Sequence, residues 1–163
     1  MTVPTAREAL VSGRSSLSVN DAVAAIIPVD ADGYLMQLRD SRPDIWYPGH
    51  WGLFGGSLEP GEDPIQALKR ELYEELELEF QDEEAQFFAR IDFDLGGLGL
   101  PRYYRSFYVV PITRAVEARL VLGEGAARRV FSGPDILREP HVTPYDAFAL
   151  FLHHARARLA DPV

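Results

Sequence analysis

After Asp21 the chain runs AVAAIIPV without a charge, a strongly apolar strand in length and composition. The turn formers Asp30-Ala31-Asp32-Gly33 then lead into Tyr34–Arg39, and the pair predicts a hairpin. Asp40–His50 (DSRPDIWYPGH) reads as a loop before a short strand, Trp51–Phe54. Helical spacing takes over after Asp63-Pro64, an N-cap followed by proline at the first helical position, with Ile65, Leu68, Leu72 and Leu76 on one apolar face. Ala85–Leu95 shows partial strand alternation, Gly96–Pro101 is a tight glycine-rich connection, and Arg102–Ile112 returns as the partner of a second hairpin. Val116–Leu122 predicts a short edge segment, Ala127–Phe131 a strand, and Pro144–Leu159 a closing helix with Phe148, Leu152 and Ala155 on one face. Met1 to Asn20 lacks clear periodicity and reads as a loose lead-in with a short helix near Ala6–Val11. No repeat or interdomain linker interrupts the rest, so residues 21–163 are expected to form a single domain.

The polar side of the central helix changes the picture. At roughly 100° per residue, Glu71, Glu74 and Glu75 fall in one contiguous arc away from the apolar face. Three carboxylates so close raise one another's pKa unless a cation sits among them. Oxygen-only ligands suit Mg²⁺ or Mn²⁺ better than Zn²⁺. Arg70, beside Glu74 on the wheel, can orient the cluster by a bidentate contact. A run of glutamates on a helix is usually only a solvated face. Here a loop precedes it, in which Gly55-Gly56 permits close backbone approach and Pro60-Gly61 marks a turn.

At these residues the sequence resembles the Nudix hydrolase family, whose signature is G, five residues, E, seven residues, then R-E-U-x-E-E-x-G-U with U aliphatic. Gly56, Glu62, Arg70, Glu71, Leu72, Glu74, Glu75 and Leu78 match it, over about a seventh of the chain. Glu77 stands where the family has glycine at the end of the helix. Either Glu77 takes a left-handed conformation, costing about 1–2 kcal/mol, or the helix runs slightly longer. The resemblance implies an α/β fold, an α/β/α sandwich with a curved mixed sheet between helices, which the order of elements also fits. It further implies a metal-dependent pyrophosphohydrolase. Glu74 and Glu75 would bind Mg²⁺ or Mn²⁺ with help from Glu71 or Glu124, and the Gly55 carbonyl would join them. Glu62 would brace loop and helix, and Glu71 is the choice for general base. Glu124-Gly125 fits the downstream loop that supplies a further ligand in some members, and Glu117 is the lesser candidate. The resemblance is compatible with a homodimer, although no stretch marks an interface.

Composition narrows the partners. A chain of 163 residues that is 47% hydrophobic can bury a core unaided, and the absence of cysteine excludes disulfides and a thiolate metal site. It also argues against an isopentenyl diphosphate isomerase of the same family, which would be expected to use a catalytic cysteine. No secretory signal or long apolar span is visible, so the expectation is a soluble cytoplasmic protein without membrane contact. A net charge of −9 opposes a stable grip on nucleic-acid backbone. Eleven of the 25 acidic residues fall between Glu59 and Glu84, where bound metal would neutralise part of the field and admit a small phosphorylated substrate.

Substrate identity is less legible. Trp46, Tyr47 and Trp51 flank the loop before the motif, and Arg102, Tyr103, Tyr104 and Arg105 cluster after the glycine turn. Aromatics there can stack a nucleobase while arginines grip phosphate, with core packing as the blander alternative; Trp51 reads as structural. Arg39, Trp46, Tyr104 and Arg105 are the substrate-binding candidates, and His50 is the one histidine worth following. Arg128-Arg129 reads as a solvated pair. Pro101 and Tyr103 lie 23 and 25 residues beyond Leu78, too far to serve as the family's markers for ADP-ribose or dinucleoside polyphosphate substrates. The expected substrate is a small-molecule diphosphate, a nucleoside diphosphate linked to another moiety as in a nucleotide sugar. A nucleoside triphosphate pyrophosphatase and a catalytically silent ligand-binding module are the alternatives.

Overall fold

The computed structural model describes residues 21–93 and 103–160. The expected lead-in and the Gly96–Pro101 connection lie outside them. The first apolar run divides in two: β1 (Asp21–Ile26) pairs in parallel with β6 (Tyr103–Val109), whereas β2 (Pro28–Val29) pairs antiparallel with β3 (Gly33–Leu38). β6 also pairs antiparallel with β5 (Gln86–Phe93), the second expected hairpin, with an irregularity between Phe87 and Ala89. This gives a mixed sheet in the order β1-β6-β5. In the second sheet β3 is bordered by β2 and β4 (Trp51–Gly52) and pairs along its length with β7 (Ala127–Phe131).

Helices cover both faces, which is why β1 is apolar at every position from Ala22 to Ile26. Val23, Ala25 and Ile27 pack with Leu68, Leu72 and Leu76 of α1 (Pro64–Leu76). Ala24, Ile26 and Phe107 face the other way, against Tyr145, Ala149 and Leu150 of the closing helix. The result is the expected α/β/α arrangement.

Two local expectations are corrected, and one unanticipated helix is added. Val116–Leu122 is not an edge strand: Thr113 accepts a hydrogen bond from the Val116 amide and caps a short helix, α2 (Arg114–Glu117). A further helix, α3 (Gly133–Arg138), follows Ser132, whose hydroxyl caps the Asp135 amide. In the closing helix α4 (Pro144–Ala160) the buried face is Tyr145, Asp146, Ala149, Leu150 and His153, leaving Phe148 exposed, so the expected stripe was rotated. Polar Asp146 and His153 on the inward face disguise its true periodicity. Among the described residues, no helix is long and apolar enough to cross a membrane.

Candidate active site

The site is assembled by α1 and the loop before it. Asp63 accepts a hydrogen bond from the Gln66 amide at 2.9 Å and its own amide donates to Gln66 Oε1 at 2.9 Å, so a capping box fixes the start of the helix. At the other end Glu77 takes φ 52° and ψ 31°, the left-handed alternative, with its amide donating to Tyr73 and that of Leu78 to Leu72. The helix therefore stops after Leu76.

Arg70 is the hub. Its Nε and Nη2 clasp the two oxygens of Glu62 at 2.8 and 2.9 Å, Nη1 reaches Glu71 at 2.8 Å and Glu74 at 3.3 Å, and Nη2 also holds the Ser57 carbonyl at 3.0 Å. The bidentate contact is thus made to Glu62 and binds loop to helix. It also holds the Glu62 carboxyl down at about 2. Glu71 lies directly over Gly56, where any side chain would collide with its carboxylate. Burial raises its pKa, against the pull of Arg70.

Glu75 is only 5% exposed. Its two oxygens accept from the Gly55 amide at 2.8 Å and from Gln37 Nε2 at 3.0 Å. Burial nevertheless pushes its pKa to about 8, with Glu71 and Glu124 adding repulsion. Gln37 also donates to the Glu124 carbonyl at 3.2 Å, and the Gly123 amide donates to the Glu75 carbonyl at 2.8 Å, so the downstream loop is docked on the end of α1.

These groups open onto a cleft of about 710 Å³. Glu71, Glu75 and Glu124 line it together with Gly55, Gly56 and Ser57. Arg39, Trp46 and Arg105, three of the substrate candidates, line it too, alongside Arg42, Tyr145 and Asp44. Arg39 Nε donates to the Trp46 carbonyl at 2.8 Å and so props the loop that carries the tryptophan. Other candidates are placed differently. Glu74 is not in the cleft wall and its side chain is 52% exposed. The side chain of Tyr104 lies outside the described residues. Glu117 is taken up by Arg114 and Arg128, which also removes Arg128 from the solvated pair expected, and Arg129 stacks over Phe131. His50 packs against Tyr47 and His141 and is not in the cleft wall. Trp51 packs edge-on against Phe131 in the core, as a structural residue does.

The donor set suits a hard divalent cation: it is all oxygen, acidic, and strained by like charge, since Glu124 disfavours ionisation of Glu71 and of Glu75, and Glu71 disfavours that of Glu75. Among the described residues no three acidic or histidine side chains already surround one point. The reason is visible, for Arg70 neutralises Glu71 and Glu74 while Gly55 and Gln37 satisfy Glu75. Gln37, Tyr145 and Asp146 escaped sequence reasoning. Only Gln37 left a trace, as the lone polar residue between apolar Met36 and Leu38.

Comparison with known proteins bears on this geometry. The NUDIX domain model matches residues 19–148, and the chain belongs to the Nudix hydrolase family. A nucleoside triphosphatase NudI from Salmonella agona is 46% identical over 50 residues, 29% of this chain and 34% of that protein. One from Escherichia coli O1:K1 / APEC is 43% identical over 54 residues, 33% and 37% of the two chains. The chain thus matches only about a third of the length of these curated relatives. Among solved structures, a MutT protein from Methanosarcina mazei Go1 superposes with a TM-score of 0.69 at 18% identity, covering 89% of this chain and 99% of its own, a likeness of fold. The E. coli ORF135 protein reaches 0.67 at 28% identity over 92% and 100% of the two chains.

Proposed function

We propose that the protein is a Mg²⁺- or Mn²⁺-dependent pyrophosphohydrolase that cleaves a phosphoric anhydride in a nucleotide by attack of water at phosphorus. The observation that carries this reading is Glu75, a buried carboxyl facing the cleft with Glu71 and Glu124 close enough to repel it. Glu75 and Glu124 would hold the cation, with Glu74 and the Gly55 carbonyl as its further ligands, which leaves Glu71 free to act as base. A cation held there would supply polarisation of the anhydride oxygens, a lower pKa for water and neutralisation of the leaving phosphate. The remaining work belongs to the chain. Arg70 holds Glu62 and Glu71 in place, and Glu71, whose proton affinity burial has raised, takes a proton from the attacking water. Arg39, Trp46, Tyr104 and Arg105 bind the remainder of the substrate.

A cleft of about 710 Å³ offers room for a nucleoside and a second moiety beyond the diphosphate, which favours a nucleoside diphosphate linked to another group. A nucleoside triphosphate is the second reading, favoured by the relatives named nucleoside triphosphatase. Product release from nucleotide sugars, ADP-ribose, dinucleoside polyphosphates and nucleoside triphosphates, with Mg²⁺, Mn²⁺ or EDTA, decides between them. Metal-dependent cleavage of one class identifies the substrate. Ligand-induced thermal stabilisation without cleavage of any class points instead to a silent binding module.

A further inference from the structure

Arg105 is 8% exposed in the middle strand of the mixed sheet, yet its Nε is buried without a hydrogen-bond partner. The carboxylate it faces does not close the gap: Asp146 Oδ1 stands 3.8 Å from Nη2 and is itself unpartnered. Asp146 is held back by its other oxygen, which accepts from the Leu53 amide at 2.9 Å and from the Thr143 hydroxyl at 2.6 Å. The guanidinium rests on the ring of Tyr145, 5.0 Å from its centroid, and both side chains line the cleft. A buried ion pair left short of contact is costly, and unfilled buried donors call for a partner.

Strand register places this group relative to the reacting centre. Arg105 pairs with Ala22, and Ala22 bridges to Ser57, next to Gly56 beneath the Glu71 carboxylate. Two strand spacings put Arg105 about 10 Å from Ser57, a nucleoside's reach from the anhydride. Asp146 behind the guanidinium offsets its charge, so a phosphate would gain little there and would meet a buried like charge. A neutral planar edge is not penalised. The fork of an arginine matches two adjacent acceptors, as in guanine O6 and N7 or cytosine O2 and N3, a pair that adenine and uracil lack.

We propose that Arg105 reads the base of the substrate, selecting guanine or cytosine nucleotides, and that Asp146 is the positioning residue that aims it. The inference rests on the nucleotide reading of the cleft, and equilibrium binding separates the two. The full chain is titrated calorimetrically with CMP, GMP, AMP, UMP and ribose 5-phosphate. CMP or GMP is expected to bind at least about tenfold more tightly than AMP and UMP. Arg105→Lys keeps the charge opposite Asp146 but loses the fork, and should erase that preference while leaving ribose 5-phosphate affinity unchanged. Asp146→Asn can keep the bonds to Leu53 and Thr143 and should also erase it; an Asp146 of purely structural role would alter stability and spare the preference. Absence of base preference in the unaltered protein, its persistence in Arg105→Lys, or an equal loss of ribose 5-phosphate binding would each overturn the proposal. Base preference without hydrolysis of any nucleotide would uphold this inference and remove the enzymatic reading, whereas hydrolysis with equal base affinities would do the reverse.

Discussion

Glu75 and Glu77 stand two positions apart and have opposite relations to the fold. Replacing Glu75 by Gln preserves shape and the bond from the Gly55 amide but removes the charge, and the rotation of Gln37 that restores the second bond gives up its bond to the Glu124 carbonyl. Turnover should fall by about 10²-fold or more, the factor that several kcal/mol of lost charge stabilisation implies, with the fold retained. Full activity in that variant would refute the assignment. Glu77 is a conformational burden, since its φ of 52° disfavours a side chain. Glu77→Gly should therefore raise stability by about 1 kcal/mol in denaturant titration, with no change in metal dependence.

For single elements, legibility followed the strength of local chemistry. α1 was readable because its cap, its proline and its apolar spacing agree, and Asp63→Ala, which removes one bond of the capping box, should cost about 1 kcal/mol in chemical unfolding. The carboxylates on α1 could be located from helical geometry, but not their separate fates: Glu75 is buried and Glu74 exposed because the sheet and Gly55 lie on one side only. α4 misled because the polar residues on its inward face find partners that are distant in sequence, Tyr34 for His153 and Leu53 for Asp146. α3 carried an N-cap serine and a proline but is only six residues long, too short for periodicity to show. The meeting of Arg105 with Asp146 depends on tertiary packing and left no mark in either segment.

Across the whole molecule, metal and pH are the available levers. A cation that binds only the folded chain should stabilise it by about 2.7 kcal/mol when present at 100 times its Kd, so Mg²⁺ or Mn²⁺ should raise the melting temperature and EDTA reverse the gain. Unchanged melting would count against the metal site. His153 contributes to the acid limb. Its burial lowers its pKa from 6.5 to about 4, and neutral Nδ1 can accept the Tyr34 hydroxyl at 2.8 Å. The unfolded chain takes up that proton first, so stability contributed above pH 6.5 should be lost as pH falls towards 4. Thermal melts across that range should show a shallower decline in His153→Phe. The left-handed turn at Glu77 also bears on how such chains diverge. Position 77 constrains the sign of a torsion angle rather than the identity of a residue, so related chains can drift there among Gly, Asn, Asp and, at a cost, Glu, while β-branched residues and proline are closed to them. A lineage carrying glutamate here has spent part of its stability margin and holds an unused single-residue route to recovering it.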